Sequence, residues 1–296
     1  MEDKLISYGG QAVIEGVMMR GKNAVAIAMR NPEGEIVVHV EKLAKIYRSR
    51  LAKTPFVRGL VLLWDAMGLG MRALTISANT QSGEDEKLEG PALYLSLGFS
   101  LLFSIGLFFL LPAVAGGLVE KYLGWGTWAG NLLEGLIRLF LFVAYVWLIG
   151  FMPDIKRVYS YHGAEHKVIN AFEAGAELKP EVVADYSREH ARCGTAFMLS
   201  LILISILIFS LLGPMSLFWR LTTRILFLPL IAGMAYEYIK WTAEHLDSKF
   251  VQAIVRPNLA LQRLTTHEPD LEMLEVSITA FETMRDAEEE FAPPVL

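Results

Sequence analysis

Two long stretches of this sequence carry no charge. No Asp, Glu, Lys or Arg lies between Glu89 and Glu120, and none between Arg192 and Arg220. A helix needs about 20 predominantly apolar residues to cross the hydrocarbon core of a bilayer, and each gap exceeds that. The composition agrees: of 296 residues, 53% are hydrophobic and 20% charged, against about 25% charged in an average soluble domain. A single soluble globular domain is excluded, and so is a disordered chain. The expectation is a mainly α, polytopic helical membrane protein with substantial soluble parts.

Four segments pass the test for a span. The first covers about 93–118, rich in Leu and Phe, with Pro112 as its expected kink. The second covers about 132–152 and contains Arg138, with Glu134 four residues before it in the favourable order for a helical ion pair. The third, about 196–213, is nearly pure Leu, Ile and Phe. The fourth, about 219–241, bears Arg224 near its start and Glu237 and Lys240 near its end. Trp125, Trp128, Trp219 and Trp241 fall at span ends, where amphipathic rings favour the interface. Lys and Arg concentrate before the first span, between the second and third, and after the fourth. Those regions then share the cytoplasmic side, and both termini are expected there.

The soluble parts divide coarsely. Residues 1–54 form an N-terminal β-containing region, with apolar stretches at 11–20 and 24–30 and an Asn-Pro-Glu-Gly turn at 31–34 before Ile36 to Val40. Residues 55–90 hold a segment of mixed helical periodicity, followed by an acidic linker from Gln81 to Gly90. Residues 55–79 read as an amphipathic helix in the interface, with a shallow fifth membrane segment as the alternative. The transmembrane region is 91–256, including a cytoplasmic loop at 153–195. In 257–296, Pro257 and Asn258 break a helical stretch, and 270–290 form an acidic amphipathic helix with a loose tail.

Other features narrow the class further. The single cysteine, Cys193, implies no oxidising compartment. A net charge of −5 gives no reason to expect nucleic acid. The opening residues have early acids and no apolar run, so no signal peptide is expected.

The chemistry concentrates in Tyr161-His162-Gly163-Ala164-Glu165-His166-Lys167. Residues four apart share a helix face, so His162 and His166 can offer two imidazoles to one divalent metal, most readily zinc. Glu165 stands beside them as the general base for a polarised water, the His-x-x-Glu-His pattern of inverzincins. A catalytic zinc takes a third protein ligand. The candidates are His190 and Cys193, three apart just before the third span, and Glu237 near the end of the fourth. His190 is favoured over Cys193, which also suits a buried small residue. A salt bridge to Lys240 or Arg157 is the ordinary alternative for Glu237. Glu173, on the face of His162 and His166, reads as solvated. In the N-terminal block, Glu15 is expected to pair with Arg20, with a hairpin capping the metal loop as the alternative.

The blocks Gly9 to Arg20, His162 to Lys167, His190 to Thr195 and Leu261 to Thr266 together resemble the YqhQ family, bacterial membrane proteins of unknown function commonly labelled predicted metal-dependent enzymes. Ala191 stands where that pattern leads one to expect proline. The resemblance covers nearly the whole chain and implies a multi-pass protein of the bacterial cell membrane. The functional expectation is a metal-dependent hydrolase acting at the cytoplasmic surface on a membrane-associated peptide or lipid. The rival is a scaffold or biogenesis factor whose metal is structural, docking a membrane partner protein or a second copy. A transporter is weaker, because spans one and three lack internal charges.

Overall fold

The computed structural model describes residues 8–43, 54–82 and 90–292. Most of the expected acidic linker and the last four residues of the expected tail lie outside them.

Near the N-terminus, β1 (Gly9–Val13), β2 (Gly16–Arg20), β3 (Ala24–Arg30) and β4 (Ile36–Lys42) form an antiparallel meander in the order β1-β2-β3-β4. The β1–β2 turn places Glu15 at φ 53°. Gly16, opposite Met29, has no room for a side chain because a Cβ would meet the β3 backbone. Both faces of β2 and β3 are apolar, so the pattern does not alternate between core and water. On one face Val17, Met19, Ala26 and Ala28 pack against Tyr161, Val168, Phe281 and Met284. On the other, Val13, Met18, Val25, Ile27 and Met29 pack against Leu69, Ala73 and Leu74. The register Val17↔Ala28 and Met18↔Ile27 keeps each set on its own side.

The helices that cover the sheet come from three distant parts of the chain. One face receives α5 (Pro153–Glu173) and α11 (Leu271–Glu290), the other α1 (Val57–Gln81). The periodic segment at 55–79 is therefore a helix whose apolar stripe seats on the β-sheet, which an interfacial reading did not anticipate. Its N-terminal half turns away, with Trp64 exposed. The acidic segment at 270–290 is the core helix α11, and its Glu288 accepts hydrogen bonds from the Asn23 and Ala24 amides and from Asn23 Nδ2 at the β2–β3 turn.

The remaining helices are apolar or amphipathic. They are α2 (Gly90–Ile105), a π-helical turn (Gly106–Leu110), α3 (Leu111–Leu123), α4 (Thr127–Ile149), α7 (Gly194–Ser210), α8 (Leu217–Leu226), α9 (Leu228–Glu244) and α10 (Lys249–Thr265), with the short α6 (Pro180–Val183) between α5 and α7. Two runs, Tyr94–Leu123 and Thr127–Ile149, are long and apolar enough to cross a bilayer. Phe218–Leu226 and Leu228–Glu244 qualify only as a pair bent by 41°. The expected third span is the 17-residue α7. At 1.5 Å per residue it reaches roughly 26 Å, short of the ~30 Å hydrocarbon core. Among the described residues the four expected spans thus become two candidates by length and composition, or three with the bent pair. The loop expected at 153–195 begins with the half-buried helix α5, which takes up its first 21 residues. Pro257 does not break α10 either; the helix runs through it, and Asn258 Nδ2 donates to Ser200 Oγ of α7 at 3.3 Å.

These helices are inside-out by the standard of a water-soluble protein. In α8, Arg220 and Arg224 point inward at 3% and 2% exposure, while Phe218 and Ile225 are each 70% exposed. Arg224 clasps Glu134 of α4 with two hydrogen bonds, 2.9 and 2.8 Å, and reaches Asn131 Oδ1 at 3.1 Å. Arg138 donates to the same Glu134 at 2.9 Å. Its Nε donates to the Phe108 carbonyl at 2.9 Å. Phe108 lies in the π-helical turn, where the regular carbonyl ladder is interrupted. The expected Glu134–Arg138 pair is therefore one half of a three-residue ionic knot.

Candidate metal centre

The centre is built on α5 from the chain's own backbone constraints. Gly163 lets the stretch after α10 lie directly on α5, because a Cβ there would strike the His267 carbonyl. That stretch zips along the helix: the His267 amide donates to Tyr159 O at 2.9 Å, and Lys167 pairs with Glu268. The Thr265 carbonyl, at the end of α10 where helical carbonyls lack intrahelical partners, accepts from His162 Nδ1 at 2.9 Å. The Arg188 carbonyl does the same for His166 Nδ1 at 2.6 Å. A carbonyl oxygen can only accept, so both rings carry hydrogen on Nδ1. Both Nε2 atoms are thereby turned into the site, the second-sphere arrangement that orients metal-binding imidazoles.

Cys193 meets them. It caps the N-terminus of α7 in extended conformation, its sulfur accepting from the Thr195 amide. His162 Nε2 lies 3.2 Å from Cys193 Sγ, and the His162 and His166 ring centroids are 4.4 Å apart. One ligand atom each from His162, His166 and Cys193 falls within 4.8 Å of the others. Burial works against charge at His162 and Cys193, yet the His charges and the hydrogen bond from His162 hold the Cys193 thiol well below its usual range. For His162, burial is outweighed by the sulfur's charge and hydrogen bond, and its pKa rises to about 9. Without metal both shifts favour the charged forms of His162 and Cys193, and the sulfur sits at the N-terminal, positive end of α7.

Glu165 is 5% exposed, and burial pushes its carboxyl up despite the neighbouring histidines. The Gly10 amide of β1 donates to it, while Oε2 is buried with no hydrogen-bond partner among the described residues. Gly10 is required for this fit: a Cβ would lie 2.9 Å from Glu165 Cδ and 2.6 Å from the Met18 carbonyl. The N-terminal sheet therefore roofs the centre. The two Nε2 atoms and the Cys193 sulfur are a donor set that could hold a divalent ion such as zinc; Glu165 feels the charge of both histidines but is not one of the converging donors.

The other candidates fall outside this triad. His190 packs near His166, with ring centroids 5.9 Å apart, but its Nε2 faces Glu173 Oε2 at 3.5 Å. Glu173 is tied to Arg192 as well, rather than merely solvated. Glu237 is held by Arg58 and the Phe56 amide of the α1 start, so its partner is neither Lys240 nor Arg157. Glu15 pairs with Arg157 and receives Tyr161 OH at 3.4 Å; the expected partner, Arg20, is replaced by a residue of α5. Sequence reasoning missed Gly163 and Gln262. Gln262 clamps the His190 backbone from both sides, accepting its N–H at 2.9 Å and donating to its C=O at 2.8 Å. The Leu261–Thr266 block flagged the segment without revealing that role.

The chain is similar to the uncharacterised protein YqhQ of Bacillus subtilis (strain 168), 35% identical over 292 residues that cover 93% of this chain and 91% of that protein. No solved structure matches it. The family described as "Protein of unknown function (DUF1385)" matches residues 54–287, which hold all three ligand residues and Glu165. On both counts the chain belongs to this YqhQ-like family of unknown function.

Proposed function

We propose that this protein is a membrane-embedded, metal-dependent hydrolase whose site lies at the cytoplasmic ends of its spans. One observation carries the reading: His162 and His166 are oriented by backbone carbonyls to present Nε2 toward Cys193, and Glu165 adds an unpartnered carboxylate oxygen. Three protein ligands leave a fourth position, as in catalytic zinc sites. A divalent ion held there supplies the Lewis acidity that makes a water nucleophilic near neutral pH. Glu165, its carboxyl raised by burial and held by Gly10, takes the proton and later returns it to the leaving group. Membrane embedding is supported by α8 and α4, which bury Arg220, Arg224 and Glu134 and expose Phe218, Ile225 and Phe140. Such a surface suits lipid rather than water.

The test begins with metal analysis of purified protein. Wild type and Glu165→Gln should carry about one equivalent and His166→Ala little, since each lost ligand or partner weakens binding roughly 10–100-fold or more. Membrane lipid and peptide extracts are then incubated in ¹⁸O-water. Products labelled by wild type and not by Glu165→Gln support hydrolysis; equal metal loss in both variants would sink the base assignment.

A second reading rests on the same burial. His166 and Cys193 are nearly sealed, so an ion could serve to pin α5 to α7 in a non-enzymatic scaffold. X-ray absorption separates the two: four protein donors mean a structural site, and three plus a light oxygen donor mean an open one.

A further inference from the structure

The ligand-bearing face of α5 does not stop at His166. Asn170 and Glu173 continue it at four and seven residues further on, since such spacings return to one side of a helix. Both line a cavity of about 350 Å³. Its inner wall includes His190, whose ring lies 5.9 Å from that of His166. The opposite wall has different chemistry: Ala243 and Leu246 from the end of α9, and Val255 and Leu259 from α10. One side is thus polar and includes the His190 ring that neighbours His166, and the other is hydrocarbon and sits where the bent apolar pair ends. The size lies within the range of about 300–1,000 Å³ for small-molecule sites.

The charges bordering the cavity are already matched. Glu173 is held by Arg192 and faces His190, and Glu189 binds Arg263 at 2.7 Å. Among the described residues that line the cavity, Arg192 is the one Lys or Arg, and Glu173 already holds it. The mouth carries Leu246, and the neighbouring Trp241 and Phe250 are exposed, an aromatic and aliphatic rim of the kind that sits at a bilayer interface.

We infer that this cavity is the substrate site of the metal centre and takes an acyl lipid with an uncharged polar head, the head toward Asn170 and His190 and the chain along Leu246, Val255 and Leu259. The inference rests on the hydrolase reading and adds the substrate class. The bilayer delivers the chain laterally past α9 and α10. The head then rests within reach of the face that holds His166 and Glu165.

The experiment uses the whole protein in nanodiscs with a dodecyl monoacylglycerol carrying a photo-activated diazirine in its chain. Mass spectrometry should place the cross-link in residues 243–259. Ala243→Trp fills the cavity and should cut labelling roughly tenfold, the effect of about 1.4 kcal/mol in binding. Leu246→Trp, on a more exposed position, should act the same way if Ala243→Trp fails to fold. Unlabelled monoacylglycerol should compete, whereas glycerol should not. Labels spread over α2 and α4, or unchanged in both Trp variants that fold, would overturn the inference. Dodecyl phosphate or an end-blocked apolar tripeptide competing better than monoacylglycerol would overturn it too. His166→Ala separates the two proposals. Label retained in this metal-free variant supports a pre-formed lipid site. Metal bound in wild type without cavity labelling ends the lipid inference alone. Wild type that takes label but no metal ends the hydrolase reading alone.

Discussion

Glu134→Gln should be among the most damaging conservative changes in the chain. Three hydrogen bonds from two guanidinium groups converge on its carboxylate: Arg138 Nη2 at 2.9 Å, Arg224 Nε at 2.9 Å and Arg224 Nη2 at 2.8 Å. The site is 1% exposed, so the arginines have no water to turn to. Glutamine keeps one acceptor oxygen, but it removes the charge and points an NH₂ at a donor. Breaking a buried ion pair from one side costs about 3–5 kcal/mol. At roughly 2–4 °C per kcal/mol for a chain of this size, the melting temperature should fall by about 6–20 °C. The assay is thermal unfolding in detergent, followed by tryptophan fluorescence. Glu244→Gln is the comparison: its pair with Lys240 spans 3.7 Å between exposed side chains, and such pairs contribute about 0–1 kcal/mol. Replacing the whole knot with apolar residues, Glu134→Leu with Arg138→Met and Arg224→Met, should recover most of the loss, because no charge is then stranded. The reasoning is refuted if Glu134→Gln melts with Glu244→Gln, or if the triple variant melts below Glu134→Gln.

Further outcomes follow from the centre and its roof. Gly10→Ala should destabilise by about 1–3 kcal/mol through overpacking against Glu165 and Met18 while leaving metal content intact; Gly9→Ala, which meets open space, should change neither. Gln262→Ala strands the buried His190 N–H, at about 1–3 kcal/mol, and leaves its C=O with the Cys193 amide alone, so hydrogen exchange at the His190 amide should accelerate. Stability of the metal-free protein should depend on pH. The raised pKa of His162 gives a contribution complete below its ordinary 6.5 and lost as pH rises through about 9. The lowered Cys193 gives one present above its ordinary 9.0 and lost as pH falls through its depressed value. The two contributions oppose each other between pH 6.5 and 9, so apo protein should weaken on the acid side, as Cys193 takes up its proton, with no step near pH 9; a loss of stability confined to the alkaline side would count against the pairing of His162 with the Cys193 sulfur.

What the sequence revealed was whatever short spacing or local composition encodes. The i, i+4 pair His162/His166 needed only helical periodicity, and the meander over 9–40 needed only β-branched runs and a turn. The charge gaps marked the apolar helices but not their lengths, since α7 ends after seventeen residues while its apolar composition continues. Long-range partners were not legible. Cys193 rather than His190 joins the ligands because α7 starts at Gly194 and turns the capping sulfur inward, a matter of orientation that three residues of spacing cannot fix. Glu15 finds Arg157 and Glu237 finds Arg58 across 142 and 179 residues. An amphipathic stripe says that something covers it. It does not say whether lipid or a sheet does, which is why α1 was read as lying on a membrane.

The sheet also ties together segments made far apart in time. Its two central strands precede α1 to α10, whereas α11, which seals one face, follows all of them; Glu288 reaches back 265 positions to close the β2–β3 turn. Every apolar helix is complete before that cover exists. A chain halted before α11 would hold His162, His166 and Cys193 under a sheet with one face partly bare, so the roof over Glu165 is finished only after α11 has been made.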